Sequence, residues 1–334
     1  MKMRRTAIAV TAAAALTLSA CGGDDESAEG EAATGDEDSY TNELTFGTGS
    51  TAGTYFPLGD ELAAIYQENI DDVSVTAIET GGSADNLGGI FQEEMQLGLT
   101  QNDTAQSGVN GEIEDLDGMA LDNFGWISNL YPEAAHIIVR EDSGIESIED
   151  LEGQTIAVGD AGSGTRAISD AILAAHGIEE GDYTAEVADF GSSTDMLADS
   201  QIDASIFVVG TPVAGLTQLA ASTDVRLLGI EDDMTEAISG ESGAESYDIS
   251  ADAYDFLDED VTTVSVFAAL VASTTQVSED LAYDITAATF ENADDITLEV
   301  GENITEENAL TGIGDVPLHP GAERYFEEQG IDLP

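Results

Sequence analysis

The stretch that most constrains the fold is residues 47–59, Gly-Thr-Gly-Ser-Thr-Ala-Gly-Thr-Tyr-Phe-Pro-Leu-Gly, which directly follow the apolar run Leu44-Thr45-Phe46. It predicts a strand ending where a helix begins. Gly47, Gly49 and Gly53 permit a tight backbone and close approach of a ligand, while Ser50, Thr51 and Thr54 set hydroxyls beside the free amides of a helix start. An anion suits that combination, and a carboxylate is the simplest one. A small-residue turn with a good N-cap would look the same, so one loop does not decide. A second loop of the same grammar, Val158-Gly159-Asp160-Ala161-Gly162-Ser163-Gly164-Thr165-Arg166, follows Thr155-Ile156-Ala157 and opens onto a helix-like stretch, 167–176. Two such loops far apart in the chain predict two lobes facing one ligand.

A chain of 334 residues exceeds one typical domain, which fits two α/β lobes. Lys2, Arg4 and Arg5 precede an apolar run over 6–18, the pattern of an export signal too short to remain as a spanning helix. The signal ends in Leu18-Ser19-Ala20-Cys21, which resembles a bacterial lipobox, with Cys21 lipidated at a new N-terminus. Cys21 is the sole cysteine, so the mature body has no disulfide and no thiol nucleophile. Three of the seven Lys and Arg leave with the signal, and the formal charge of −62 becomes −65. Self-repulsion of that size is relieved near molar salt, where the Debye length falls to about 3 Å, and predicts a halophilic, salty exterior. Nucleic acid is excluded as a partner by the sign of the charge. Apolar residues still make up 42% of the chain, enough for a core. Residues 21–41, rich in Gly, Ala, Ser, Asp and Glu, read as an acidic flexible linker.

Along the body, helix spacing over 58–67 is followed by a strand over 73–78. That strand enters Glu79-Thr80-Gly81-Gly82-Ser83, a turn into a helix carrying Leu87, Ile90 and Phe91. Leu97-Gly98-Leu99-Thr100 predicts a strand ending in the polar loop Gln101-Asn102-Asp103. Three strands thus end at one carboxyl edge, where ligands bind in open parallel sheets. Two strands, 126–130 and 135–139, are predicted around a Tyr131-Pro132 turn. The βα alternation continues with a strand near 185–190, a helix near 194–199, a buried strand over 204–209, a helix after Thr211-Pro212 and a strand over 225–230. The run 261–272 is long enough to cross back between lobes, which implies a hinge, and helices are predicted over 278–292 and 322–329.

At these residues the chain resembles the TAXI group of solute receptors that serve TRAP transporters. The resemblance covers nearly everything after the linker. It rests on the 47–59 loop, Thr-Gly-Gly-Ser-Ala-Asp-Asn-Leu at 80–87, Gln-Asn-Asp at 101–103 and Gly-Ser-Gly-Thr at 162–165. Ile-Asp-Ala-Ser-Ile-Phe-Val-Val-Gly-Thr-Pro at 202–212 and Pro-Leu-His-Pro-Gly-Ala-Glu-Arg-Tyr at 317–325 complete it. It implies a two-lobed periplasmic-binding-protein-like α/β fold with a hinge and an interlobe cleft. That fold would close on a small organic anion, a dicarboxylate or an acidic amino acid such as glutamate, and hand it to an ion-gradient-driven permease. The binding role carries onto Gly49, Ser50, Thr51, Thr54, Tyr55, Ser83, Asn86, Gln101, Asp103, Ser163, Gly164, Thr165 and Thr211. Two departures stand out: the usual surface lysines are missing, and Asn102 stands where family members often have Ser.

Arg166 either pairs with a substrate carboxylate, for which a guanidinium is well shaped, or neutralises Asp160 or Asp170. Trp126 and Phe207 read as core or cleft wall, and His319 as structural. Enzyme signatures are weak. The third glycine of a dinucleotide fingerprint falls one place late at Gly53, a P-loop needs a lysine the mature body lacks, and no Gly-x-Ser-x-Gly elbow occurs. Asp115-x-Asp117-Gly118 puts Ile113 and Phe124 at the ends of an EF-hand count, so neither a metal nor a cofactor is expected. The reading is therefore a monomeric receptor on the outer face of the cell membrane, held by lipidated Cys21 and partnered by TRAP permease subunits. Lobe 1 is 42–138 plus 267–334 and lobe 2 is 139–266. A carboxylic-acid-binding sensor lipoprotein, or an enzyme using the same cleft, are the alternatives.

Overall fold

The computed structural model describes residues 32–113, 116 and 118–334. The predicted export signal, Cys21 and the Asp115/Asp117 fragment lie outside the described residues. The first half of the chain lays down β1 (Glu43–Gly47), α1 (Tyr55–Asn69), β2 (Ser74–Ile78), α2 (Ser83–Phe91), β3 (Leu97–Gln101) and α3 (Asn102–Asn110), followed by the long β4 (Phe124–Arg140). Then come β5 (Thr155–Ala157), α4 (Thr165–Ala175), β6 (Thr184–Glu186), α5 (Phe190–Ala198), β7 (Ala204–Val209), α6 (Ala214–Ala220) and β8 (Val225–Leu227). The chain closes with α7 (Asp232–Ser242), β9 (Glu245–Ile249), β10 (Val261–Ser273), α8 (Glu279–Glu291) and α9 (Pro320–Gln329).

These strands form one α/β sheet in the order β2-β1-β3-β10-β4-β7-β5-β6, with β8 added on β4 and β9 on β10. The long strands β4 and β10 organise it. They pair antiparallel from Phe124↔Ser273 to Ala134↔Ser265. Toward its C-terminus β10 also pairs with β3 through Ala268–Ala272, while its N-terminal part, Val261–Ser265, takes β9 instead. Likewise β4 reaches β7 only from Ala134 onward. The β4–β10 pair therefore joins the two halves of the sheet, β10 carrying β3 with β1 and β2, and β4 carrying β7 with β5 and β6.

Side-chain alternation splits the core accordingly, because successive residues of a strand face opposite sides of the sheet. Ile206 and Val208 pack with Ile137, Ile156, Ile168 and Ile172 on one face of β7, whereas Phe207 and Val209 pack with Phe190, Leu197 and Leu216 on the other. At the other end of the sheet Phe46, Leu58, Leu62, Tyr66 and Leu99 fill one face, and Leu87, Ile90, Trp126 and Val271 the opposite one. Trp126 is core: it is fully buried and its indole N–H donates to the Ala309 carbonyl at 3.0 Å. His319 caps α9, its Nδ1 accepting from the Gly321 N–H at 3.2 Å.

Several sequence expectations change. No turn interrupts β4 at Tyr131-Pro132. Pro132 lies just before the β7 ladder begins and beside a register shift at Ala268/Ala269, where a missing N–H is tolerated. The predicted polar loop after β3 is instead the start of α3. The helix expected near 194–199 begins at Phe190, because Asp189 accepts from the Ser192 N–H and caps it there. Residues 33–41, read as tether, bond to the body: the N–H groups of Ala33, Gly35 and Thr41 donate to the carbonyls of Asp122, Thr274 and Gln276.

Candidate functional site

The carboxyl ends of β1, β2 and β3 on one side, and of β5, β6 and β7 on the other, surround one cavity. Glu133 of β4 forms its floor. The cavity volume is about 70 Å³, well above the roughly 10–15 Å³ that a single water requires. That is the scale of a small solute. Of the residues singled out from the sequence, Gly49, Ser50, Thr54, Tyr55, Ser83, Gln101, Ser163, Gly164 and Thr165 line it.

The start of α2 meets the second glycine-rich loop across this space, and the first loop meets the start of α5. The N–H groups of Ala84 and Asp85, in the first turn of α2, donate to the Gly162 carbonyl at 2.9 and 3.2 Å. The Ser50 hydroxyl donates to Asp189 Oδ1 at 3.3 Å. Close approach demands glycine at two points. A Cβ on Gly81 would lie 2.5 Å from the Ala161 carbonyl oxygen, and one on Gly164 would lie 2.1 Å from Gln101 Oε1.

Five of the proposed ligand residues fall outside the cavity wall. Asn86 is fully buried scaffold: its amide nitrogen donates to the carbonyls of Thr48 and Leu99, both at 2.7 Å, and its oxygen accepts from the Thr80 hydroxyl. Thr51 is exposed, its N–H donating to Glu79. Asp103 lines neighbouring hollows instead, one of them shared with Ser163, Gly164 and Arg166, with its carboxyl pushed up to about 6 by burial. Thr211 faces His136, with Oγ1 3.5 Å from Nε2. Arg166 pairs with Asp170 one turn along α4 at 2.7 Å, so of its alternatives the neutralising one is observed.

What the sequence reading missed is the acid floor. Glu133 is 2% exposed, and accepts from the hydroxyls of Tyr55 at 3.1 Å and Tyr131 at 3.3 Å. Burial pushes its carboxyl up to about 8, against hydrogen bonding from Gln101, Tyr55 and Tyr131 that works the other way. Burial, with the nearby Glu133 charge, also raises both tyrosines. Asp160 and Asp189 add two more carboxyls to the wall, with Phe190, Phe207, Val208 and Val209 as its apolar part. Burial raises Asp189 too, but hydrogen bonds from Ser192 and Ser50 outweigh it and hold the group low. A signal for Glu133 was present: it is the one acid between Phe124 and Val139 in a chain otherwise crowded with acids.

Three buried polar atoms on the wall have no partner within the protein: Thr54 Oγ1, Gln101 Oε1 and Ser163 Oγ. Buried polar groups are nearly always bonded, and an orphan costs about 1–3 kcal/mol. Their convergence on one cavity is what a solute site requires.

Fold and site together define a periplasmic-binding-protein-like α/β molecule. PhnD1 from Prochlorococcus marinus, solved in complex with methylphosphonate, superposes with a TM-score of 0.52 at 10% identity, over 86% of this chain and 98% of that one. A protein from Bordetella bronchiseptica gives 0.51 at 16% identity, over 88% and 83%. The alkanesulfonate-binding protein SsuA from Xanthomonas axonopodis, bound to MOPS, gives 0.48 at 14% over 86% and 84%. The sequence itself matches the NMT1-like family over residues 46–330, and the chain belongs to that family.

Proposed function

We propose that this protein is an extracytoplasmic solute receptor of the TAXI type, which captures a small organic acid in the cavity above Glu133 and delivers it to a TRAP-type permease. Residues 42–138 with 267–334 would form one lobe and 139–266 the other, closing about the β4–β10 pair on the solute. The observation that carries this reading is the convergence of Thr54, Gln101 and Ser163, each with an unpartnered buried polar atom, from three different elements onto the wall of one cavity. The α1 and α4 N-termini, neither closed by a side-chain cap, face the same space and favour the acid end of a solute. PhnD1, of like fold, was solved with a small organic anion. Lipidated Cys21 would hold the receptor to the outer face of the membrane. No helix among the described residues is long and apolar enough to cross a membrane. The acid-rich surface suits a salty exterior.

One observation favours a second reading. A buried carboxyl raised to about 8 beside two phenols is also what acid–base catalysis uses. Native mass spectrometry on protein taken from its own cells separates the two. The receptor reading expects one small acid per chain, released chemically unchanged after prolonged incubation. Conversion of that molecule during incubation would favour an enzyme.

A further inference from the structure

The cavity wall provides for one acid group and not for a second. The N-termini of α1 and α4 face the space without a side-chain cap. Thr54, which precedes α1, lines the same space, and its buried hydroxyl oxygen has no partner within the protein. Free helix amides of this kind take one carboxylate. Elsewhere the wall carries Glu133, Asp160 and Asp189 and, among the described residues, no Lys or Arg. Arg166, just past the second glycine-rich loop, is occupied by Asp170.

The apolar part of the wall lies where β7 ends. Phe207 and Val209 line the cavity and stay 6% and 7% exposed, while Ala204 and Ile206 earlier in the strand are wholly buried. The ring of Phe190 packs on that of Phe207, centroid to centroid 4.5 Å at 43°. Phe190 is itself held from behind: Leu197 and Leu216 share its cluster, and a Cβ on Gly215 would lie 2.8 Å from its ring. A wall packed this closely does not give way to a longer solute. Asp189 precedes Phe190 as the cap of α5 and accepts from Ser192 and Ser50. Burial raises Asp189, but these bonds outweigh it and keep the group a charged carboxylate at neutral pH.

We propose that the cavity selects monocarboxylic acids with a short apolar tail, that Phe207 limits the length of that tail, and that Asp189 excludes a second carboxylate. This rests on the receptor reading and deepens it. The acid head lies at the α1 and α4 N-termini, and the tail runs toward the end of β7. A methylene placed there leaves water for apolar contact and tightens binding about fourfold. A carboxylate placed there meets Asp189 and Asp160 with no cation to offset them. Phe207 and Asp189 are then specificity residues, one acting by shape and the other by charge.

The experiment is titration calorimetry at pH 7 with the straight-chain acids from acetate to hexanoate and the 2-oxo acids from pyruvate to 2-oxohexanoate. Succinate, glutarate and 2-oxoglutarate are compared with butyrate, pentanoate and 2-oxopentanoate, which match them in carbon number. Affinity is expected to rise with chain length to one optimum and to fall tenfold or more within two further carbons. Each dicarboxylate is expected to bind at least tenfold more weakly than its matched monoacid. Phe207→Ala should move the optimum to a longer acid, whereas a merely structural role would weaken every length alike. If that variant does not fold, Phe207→Leu reads the same shift over a smaller step. Asp189→Asn, which can still cap α5, should narrow the gap between each dicarboxylate and its monoacid several-fold. A dicarboxylate bound as tightly as its monoacid, or an optimum that stays in place in both Phe207 variants, overturns the inference and leaves the receptor reading standing. Binding by none of these acids removes both for this class of solute.

Discussion

Ala84 donates its N–H to the Gly162 carbonyl at 2.9 Å, and this bond joins the first turn of α2 to the glycine-rich loop ahead of α4. Gly162 holds a left-handed φ of +79°, and a Cβ there would approach Asp85 Oδ1 to 2.3 Å. Gly162→Ala therefore carries a backbone penalty of about 1–2 kcal/mol plus a clash at the junction that shuts the cavity. The expected result is a solute affinity at least tenfold lower, with a melting temperature lowered by only a few degrees. Titration and thermal unfolding of the variant check both.

Two residues expected to touch the solute are assigned here to other work, and their variants should part company. Asn86→Ala strips hydrogen bonds from the buried carbonyls of Thr48 and Leu99 and should cost about 2–4 kcal/mol of stability. Arg166→Ala loses only a half-exposed pair with Asp170, its own side chain 37% exposed, and should cost under about 1 kcal/mol with solute affinity unchanged. Denaturant unfolding of both variants decides, and a large loss of affinity in the arginine variant would return Arg166 to the site.

Much of this arrangement could be read in the residues because the glycine-rich loops carry their geometry locally. A short apolar run followed by Gly, Ser and Thr predicts a strand-to-helix turn, and both loops do line one cavity. What local pattern could not supply was tertiary partnership. Asn86 lies in a loop-like motif, yet its amide is consumed by two carbonyls from elsewhere in the fold, Thr48 just after β1 and Leu99 in β3. Glu133 was hidden for a different reason: Pro132 suggested a turn, which placed the acid at a bend instead of in the middle of a strand. Its chemistry arises only when α1 and β3 bring Tyr55 and Gln101 against it.

The pH dependence of stability follows from the same acid. Glu133 is raised to about 8 from an ordinary 4.5, while burial lowers His136 and His319 to about 4 from 6.5. Between pH 4 and 6.5 the unfolded chain binds more protons at the histidines, which favours stability rising with pH, and Glu133 opposes this from 4.5 upward. Above 6.5 the histidines no longer contribute. The native state alone then keeps the Glu133 proton, so stability falls as pH rises toward 8. The expected loss is about 1–2 kcal/mol over that interval, at no more than about 1.4 kcal/mol per pH unit. Urea unfolding across pH 6.5–8 should show this slope in the natural protein and a flatter one in Glu133→Gln.

Salt should act strongly and in one direction. With 69 acids against seven Lys and Arg over the whole chain, raising salt from about 0.1 M to 1 M shortens the Debye length from about 10 Å to 3 Å and screens the self-repulsion. The melting temperature is expected to climb through that range. Equal melting at both concentrations would remove the salty-exterior reading.

The cavity between the glycine-rich loops is assigned as a solute site. That assignment is met most directly by a thermal-shift screen of the body in about molar salt, against amino acids, oxo acids, dicarboxylates and neutral controls. A ligand that binds only the native state raises the melting temperature, by an amount corresponding to about 2.7 kcal/mol at one hundred times its dissociation constant. The expected shift is confined to small acids and is reduced in Gly162→Ala. No shift with any acid, or an undiminished shift in that variant, would contradict that assignment.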